Sequence, residues 1–135
     1  MPYVPPADAP NLPKLDLEAI RKEMGAPPWR KPLVGTHVTR WMLIAWPPGF
    51  TSVPHTHPHA DEVYYILEGE GIWRLASDGV ERRAGPGSLV WSPKNVQHVI
   101  GVPGPETLLM LVSVSPNQDV PDETVEDPTA PRVRL

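Results

Sequence analysis

Cysteine is absent from the 135-residue chain, which excludes disulfides, iron–sulfur clusters and thiolate metal sites. It does not by itself fix the redox compartment. No run approaches the roughly 18 apolar residues of a membrane-spanning helix. The opening Met1-Pro2-Tyr3-Val4-Pro5-Pro6 also lacks the basic start and apolar stretch of a secretory signal. A soluble cytoplasmic protein without a membrane partner is expected. Runs of like charge are missing too. The net charge is a mild −4, which speaks against nucleic acid as a partner, since that would favour a basic face. No Ser-His-Asp order, phosphate-binding loop or paired-carboxylate pattern stands out.

What the chain has in abundance is proline, 20 residues, beside 10 glycines. Their distribution is uneven: five prolines fall in the first 13 residues and four in the last 20, while His59 to Gly85 has none. That pattern predicts a folded centre with proline-rich ends. A hydrophobic fraction of 40% supports a modest core. Residues 1–32 read as a proline-rich arm carrying one short helix over Leu15–Met24, where Leu17, Ile20 and Met24 recur at helical spacing. Asp16 is its expected N-cap and Gly25 its stop. Residues 116–135 read as an acidic, proline-rich tail, either solvated or packed on the barrel or a partner through Val133 and Leu135.

Between these ends, over residues 33–115, the texture is that of many short strands. His37–Trp46 is rich in β-branched and aromatic residues and stops at Pro47-Pro48-Gly49. Further short runs follow at Glu62–Leu67, Gly71–Ala76, Val80–Arg83, Ser88–Trp91, Gln97–Val102 and Thr107–Val114. Turn signals separate them, including Ser77-Asp78-Gly79, Gly85-Pro86-Gly87 and Pro93-Lys94-Asn95. Strands of this length and spacing predict an all-β sandwich or barrel. No segment suits a crossover helix, which argues against a parallel α/β fold.

Three of the five histidines lie within His55-Thr56-His57-Pro58-His59. Residues two apart on an extended chain point to one side, so His55 and His57 would present neighbouring imidazoles. Imidazole suits Zn, Fe, Ni, Cu or Mn, and a carboxylate adds a hard anionic ligand. Glu62 could supply it, and His98, after the Pro93-Lys94-Asn95 turn, is the candidate fourth ligand.

A longer pattern gives these residues context. Gly49, His55, His57, Glu62 and Gly69 are separated by five, one, four and six residues. Gly87, Pro93, Asn95 and His98 follow with gaps of five, one and two. In this order the two strings resemble the paired motifs of the cupin superfamily, of the small single-domain, cupin 2 type. Asn95 departs from the usual glycine and Val102 from the usual asparagine, but every ligand position carries an expected residue. The resemblance implies an all-β double-stranded β-helix, a jelly-roll or cupin barrel, with His55, His57, Glu62 and His98 holding one divalent transition metal (Fe, Mn, Ni or Zn). Small cupins commonly pair through their N-terminal strands. A homodimer is therefore expected, and Val38–Trp46, apolar on both faces, would suit its interface.

Alternation from Glu62 puts Tyr64 and Ile66 on the metal face and Val63, Tyr65 and Leu67 on the other. Tyr64 is thus the candidate catalytic residue, as hydrogen-bond donor or acid–base, although wall packing would account for it equally. His59 reads as a solvated loop residue and His37 as a surface one. Arg40 could meet an anionic substrate or face outward. The functional expectation is a small metalloenzyme acting on a small organic substrate beside the ion, by dioxygenase or isomerase/lyase-type chemistry. The alternative is a non-catalytic module that binds or senses a sugar or organic acid.

Overall fold

The structure is a computed structural model that describes residues 14–36, 38–76 and 78–117. The expected tail from residue 118 onward, the first part of the arm, and His37 lie outside the described residues. Among the described residues one helix, α1 (Leu17–Met24), precedes eight strands: β1 (Trp29–Gly35), β2 (Arg40–Trp46), β3 (Asp61–Glu68), β4 (Gly71–Leu75), β5 (Glu81–Ala84), β6 (Leu89–Ser92), β7 (His98–Gly101) and β8 (Leu108–Ser115).

The helix forms as its residues require. Asp16 accepts a hydrogen bond from the Ala19 amide at 3.1 Å, capping an otherwise unsatisfied donor. Gly25 ends the helix at φ 77°, where a Cβ would be strained. Leu17, Ile20 and Met24 then cover Trp29, Leu33, Leu43, Ala45 and Leu109 on the outside of the barrel.

The strands form two antiparallel sheets, ordered β1-β2-β8-β3-β6 and β5-β4-β7. Between their facing surfaces lies the main core, which includes Met42, Ile44, Trp46, Tyr64, Ile66, Trp73, Ile100, Met110, Val112 and Val114. This is the expected double-stranded β-helix. Strand β1 departs from the sequence expectation: it begins at Trp29, inside the stretch whose prolines suggest an arm. Its place at the sheet edge explains how it carries Pro32, whose missing N–H is tolerated there. The register slips between Pro32 and Val34 at that point.

Strand β3 alternates as its sequence predicts, with Glu62, Tyr64 and Ile66 buried and Asp61, Tyr65 and Glu68 exposed. Gly69, in the tight connection to β4, has φ 76°, and a Cβ there would lie 2.1 Å from the Thr107 carbonyl oxygen. Only glycine allows that approach of two backbones.

Candidate metal centre

The first two site histidines come from a segment that is not a regular strand. Pro54 and Pro58 flank them and cannot donate to a ladder. The segment nevertheless runs along β7: Gly49 donates to Val102 at 2.8 Å and Ser52 to Ile100 at 2.8 Å. His55 and His98 then exchange both backbone hydrogen bonds, at 3.1 and 3.0 Å. Residues paired in this way project to one face, and the two rings sit 4.1 Å apart. His57 follows on the same side, its carbonyl held by the Asn95 amide at 2.8 Å. Asn95 has φ 64°, a left-handed conformation that asparagine tolerates better than other side chains.

Glu62 comes from the other sheet, between β6 and β8. Its carboxylate is fully buried. Glu62 Oε1 lies 2.9 Å from His98 Nε2 and 4.0 Å from His55 Nε2, and Glu62 Oε2 lies 3.3 Å from His57 Nε2. One donor atom from each of the four residues fits within a span of 4.8 Å. The structure thus brings together all four residues that the motif spacing selects.

Tautomer and charge prepare these groups to bind a cation. His55 Nδ1 lies 2.9 Å from the Val53 carbonyl, and His98 Nδ1 lies 3.2 Å from that of Val96. A proton held at Nδ1 leaves the His55 Nε2 lone pair open toward the cluster; in His98 the same tautomer would bind a cation in place of the Nε2–H hydrogen bond to Glu62 Oε1. Burial, reinforced by the nearby His98, lowers the His55 pKa to about 4, so its imidazole is neutral near pH 7. Burial alone would raise the Glu62 carboxyl. Interactions with His57 and His98 outweigh that effect and hold it well below the ordinary carboxylate range. His98 makes the aligned hydrogen bond, whereas His57 is close but misaligned. Both His57 ring nitrogens and Glu62 Oε2 lack a hydrogen-bond partner among the described residues.

Buried polar atoms without partners are costly. A divalent ion would satisfy His57 Nε2 and Glu62 Oε2, the two that face each other at 3.3 Å. Ligand atoms bound at ~2.1 Å would lie ~3 Å apart when at right angles and ~4.2 Å apart when opposed. The spacings of 2.9, 3.3 and 4.0 Å agree with that arrangement. Three imidazoles and one carboxylate are a fitting donor set for a borderline transition metal.

Tyr64 completes the group. Its hydroxyl donates to Glu62 Oε1 at 2.5 Å and lies 3.0 Å from His98 Nε2. Burial, with the adjacent Glu62 charge, raises its pKa well above 10.0, so the phenol keeps its proton. His59 is exposed in the loop between His57 and Glu62, apart from the cluster. Two further residues lie in the same cross-strand row as Glu62, one that sequence reasoning does not single out and one that it leaves between meeting an anionic substrate and facing outward. These are Ser92, paired with Glu62, and Arg40, which joins the row through Val114. Neither carries a local signal, because only strand pairing puts them there.

The Cupin domain family matches residues 42–114. Among solved structures, the chain is similar to TT1209 from Thermus thermophilus, with 26% identity and a TM-score of 0.68 over 78% of this chain and 98% of that one. It is also similar to KdgF from Halomonas sp., with 26% identity and a TM-score of 0.61 over 67% and 79% of the two chains. DMSP lyase DddQ from Ruegeria pomeroyi DSS-3 shows 26% identity and a TM-score of 0.59, covering 67% of this chain and 47% of its own. No curated protein sequence matches the chain.

Proposed function

The chain belongs to the Cupin domain family, and on that premise we propose that it is a small metalloenzyme of redox-neutral, isomerase or lyase type. Its substrate is a small organic molecule bound beside one divalent ion. The observation that carries this reading is the buried His55–His57–Glu62–His98 cluster with the Tyr64 phenol hydrogen-bonded into it. His55, His57, His98 and Glu62 would hold the ion. A bound divalent metal (Fe, Mn, Ni or Zn) supplies Lewis acidity that polarises a substrate oxygen.

The chain's own residues set the conditions for that chemistry. Tyr64 orients the Glu62 carboxylate through its 2.5 Å hydrogen bond and holds a proton on its phenol oxygen. Because its pKa is raised, Tyr64 serves as a hydrogen-bond donor and proton reservoir, not as a resting base. Met42, Ile66, Ile100, Val112 and Val114 line the barrel interior and exclude water, which strengthens each polar interaction inside. The 26% identity to a protein described as a DMSP lyase favours the redox-neutral class.

Dioxygenase chemistry is the outcome to test against. Untagged protein should contain near one metal per chain by elemental analysis. Anaerobic loading with Fe(II), followed by oxygen-electrode measurements with diketones and phenolic acids, should show no substrate-dependent uptake. Rapid uptake would replace the lyase reading with a dioxygenase one. A metal-loaded protein that binds ligands without ever turning them over would be a binding or sensing module.

We also propose a homodimer, paired through the outer face of the larger sheet. Leu43 and Ala45, expected at such an interface, are covered by the chain's own helix. The apolar residues left exposed on this face are Trp41, Tyr65, Leu89 and Trp91. Sedimentation of wild type should give twice the chain mass, and Trp91→Lys with Leu89→Lys should halve it.

A further inference from the structure

Beside Glu62 the interior holds a buried hydroxyl, that of Ser92. Ser92 closes β6 and pairs directly with Glu62 of β3. Directly paired residues share a face of a sheet, with their Cβ atoms ~5 Å apart. The alternation of β6 agrees: Leu89 and Trp91 are exposed, whereas Val90 packs against the core. Ser92 therefore faces inward next to the carboxylate. It is 1% exposed, and its oxygen has no hydrogen-bond partner among the described residues.

Ser92 leads into the Pro93-Lys94-Asn95 turn, which is bonded to the segments of two ligand residues. The Asn95 amide donates to the His57 carbonyl at 2.8 Å, and the Lys94 amide donates to the carboxylate of Asp61, the neighbour of Glu62, at 2.8 Å. One short turn thus anchors Ser92 to the stretches that carry His57 and Glu62. A hydroxyl held out of water without a partner costs stability. Alanine would occupy the same place without that cost. A cation at the cluster does not supply the missing contact, because such ions take imidazole and carboxylate donors and not a neutral hydroxyl. A bound molecule would supply it.

From this geometry we propose that Ser92 is a specificity-determining residue, whose hydroxyl bonds to an oxygen of the small molecule bound at the ion. Ser92 adjoins a ligand residue, so the oxygen it meets is close to the one on the ion. The fitting class is a molecule with two neighbouring oxygens, such as a hydroxy acid, a keto acid or a hydroxamate. A serine hydroxyl both donates and accepts, so it serves a hydroxyl, a carbonyl or a carboxylate oxygen alike. An analogue without the second oxygen leaves Ser92 unsatisfied and is discriminated against. The proposal rests on the metal-site reading above.

The test reads ligand affinity and stability, not turnover. Protein loaded with Co(II) is titrated with acetohydroxamate and followed by the visible spectrum of the ion. Ser92→Ala removes one oxygen and no apolar packing. It should weaken acetohydroxamate ~10- to 100-fold, the range set by a hydrogen bond to a charged group. Metal affinity, measured by competition with a chelator, should stay as in wild type, because Ser92 is not a ligand. In metal-free protein the same substitution should raise the melting temperature by roughly 3–5 °C, since it deletes an unsatisfied buried group. A serine with a purely structural role predicts the reverse, a lower melting temperature with ligand affinity unchanged. Either an unchanged acetohydroxamate affinity or a lowered melting temperature overturns the proposal. Failure of wild type to take up metal sinks the metal reading and this proposal together, whereas metal uptake without acetohydroxamate binding sinks only the latter.

Discussion

His55 and His98 face each other across a single pair of reciprocal backbone hydrogen bonds, 3.1 and 3.0 Å long, which brings their rings to 4.1 Å. The pair joins an irregular, proline-flanked segment to a regular strand. It fixes two candidate ligand positions by backbone geometry before any side chain is considered. Glu62 then approaches from the opposite sheet, so the site forms only when the two sheets pack.

Removal of ligands should therefore release metal without dismantling the barrel. His55→Ala with His57→Ala should reduce bound metal from near one per chain to background by elemental analysis. Strand content by circular dichroism should stay unchanged. Full metal retention would end the four-ligand assignment. In wild type, free metal at ~100 times its dissociation constant should add ~2.7 kcal/mol of stability.

Tyr64→Phe removes one hydroxyl and keeps the ring against Trp73, which lies 5.4 Å away between centroids. The variant loses the hydrogen bond to Glu62 Oε1. Loss of such an outer partner should weaken metal binding ~10- to 100-fold, as measured by competition with a chelator of known affinity. Unchanged affinity would show that Tyr64 does not orient the carboxylate.

The metal-free protein should lose stability on acidification. His55 has a pKa of about 4 in the fold, because burial and then His98 disfavour its charged form, against an ordinary value of 6.5. Below pH 6.5 the unfolded chain takes up a proton that the folded one refuses. The contribution of His55 is thus fully present above pH 6.5 and is lost as pH falls toward 4. Its size is on the order of 3 kcal/mol. Denaturant unfolding of chelator-treated protein at pH 4, 5, 6 and 7 should show this slope, and His55→Gln should flatten it. Equal slopes in both proteins would assign the effect elsewhere.

Two glycine substitutions should differ sharply. Gly69→Ala places a Cβ 2.1 Å from the Thr107 carbonyl oxygen at φ 76°, so backbone must move. Gly87→Ala meets nothing within 4 Å and carries only the strain of φ 86°. The first should cost roughly 3–5 kcal/mol, and the second ~1–2 kcal/mol. Comparable melting temperatures for the two variants would contradict the close approach at Gly69.

Much of the fold is legible in the sequence because it is encoded locally. Residues 17–24 carry helical spacing, a cap and a stop, and the helix follows them. The alternation of β3 puts Tyr64 and Ile66 inside with Glu62, as burial in that strand bears out. Asn95, a residue type that tolerates a left-handed backbone, adopts φ 64°. Edge strand β1 escapes such a reading because Pro27, Pro28 and Pro32 signal breakage along the chain. Whether Pro32 can be accommodated depends on which neighbours need its N–H. That is a property of the sheet.

The same division runs through the site. The sequence by itself determined the proposed donor set, since the identity and motif spacing of His55, His57, Glu62 and His98 are written along the chain. Tertiary structure alone decided what surrounds them. Arg40 precedes Glu62 by 22 residues and Ser92 follows it by 30. Both enter its row only because β2, β8, β3 and β6 pair in one register. Leu43 and Ala45 lie beneath α1 for the same kind of reason. Side-chain type travels with the chain, but the face it occupies is set by hydrogen-bonded neighbours distant in sequence, and a slip of one residue would turn Arg40 outward.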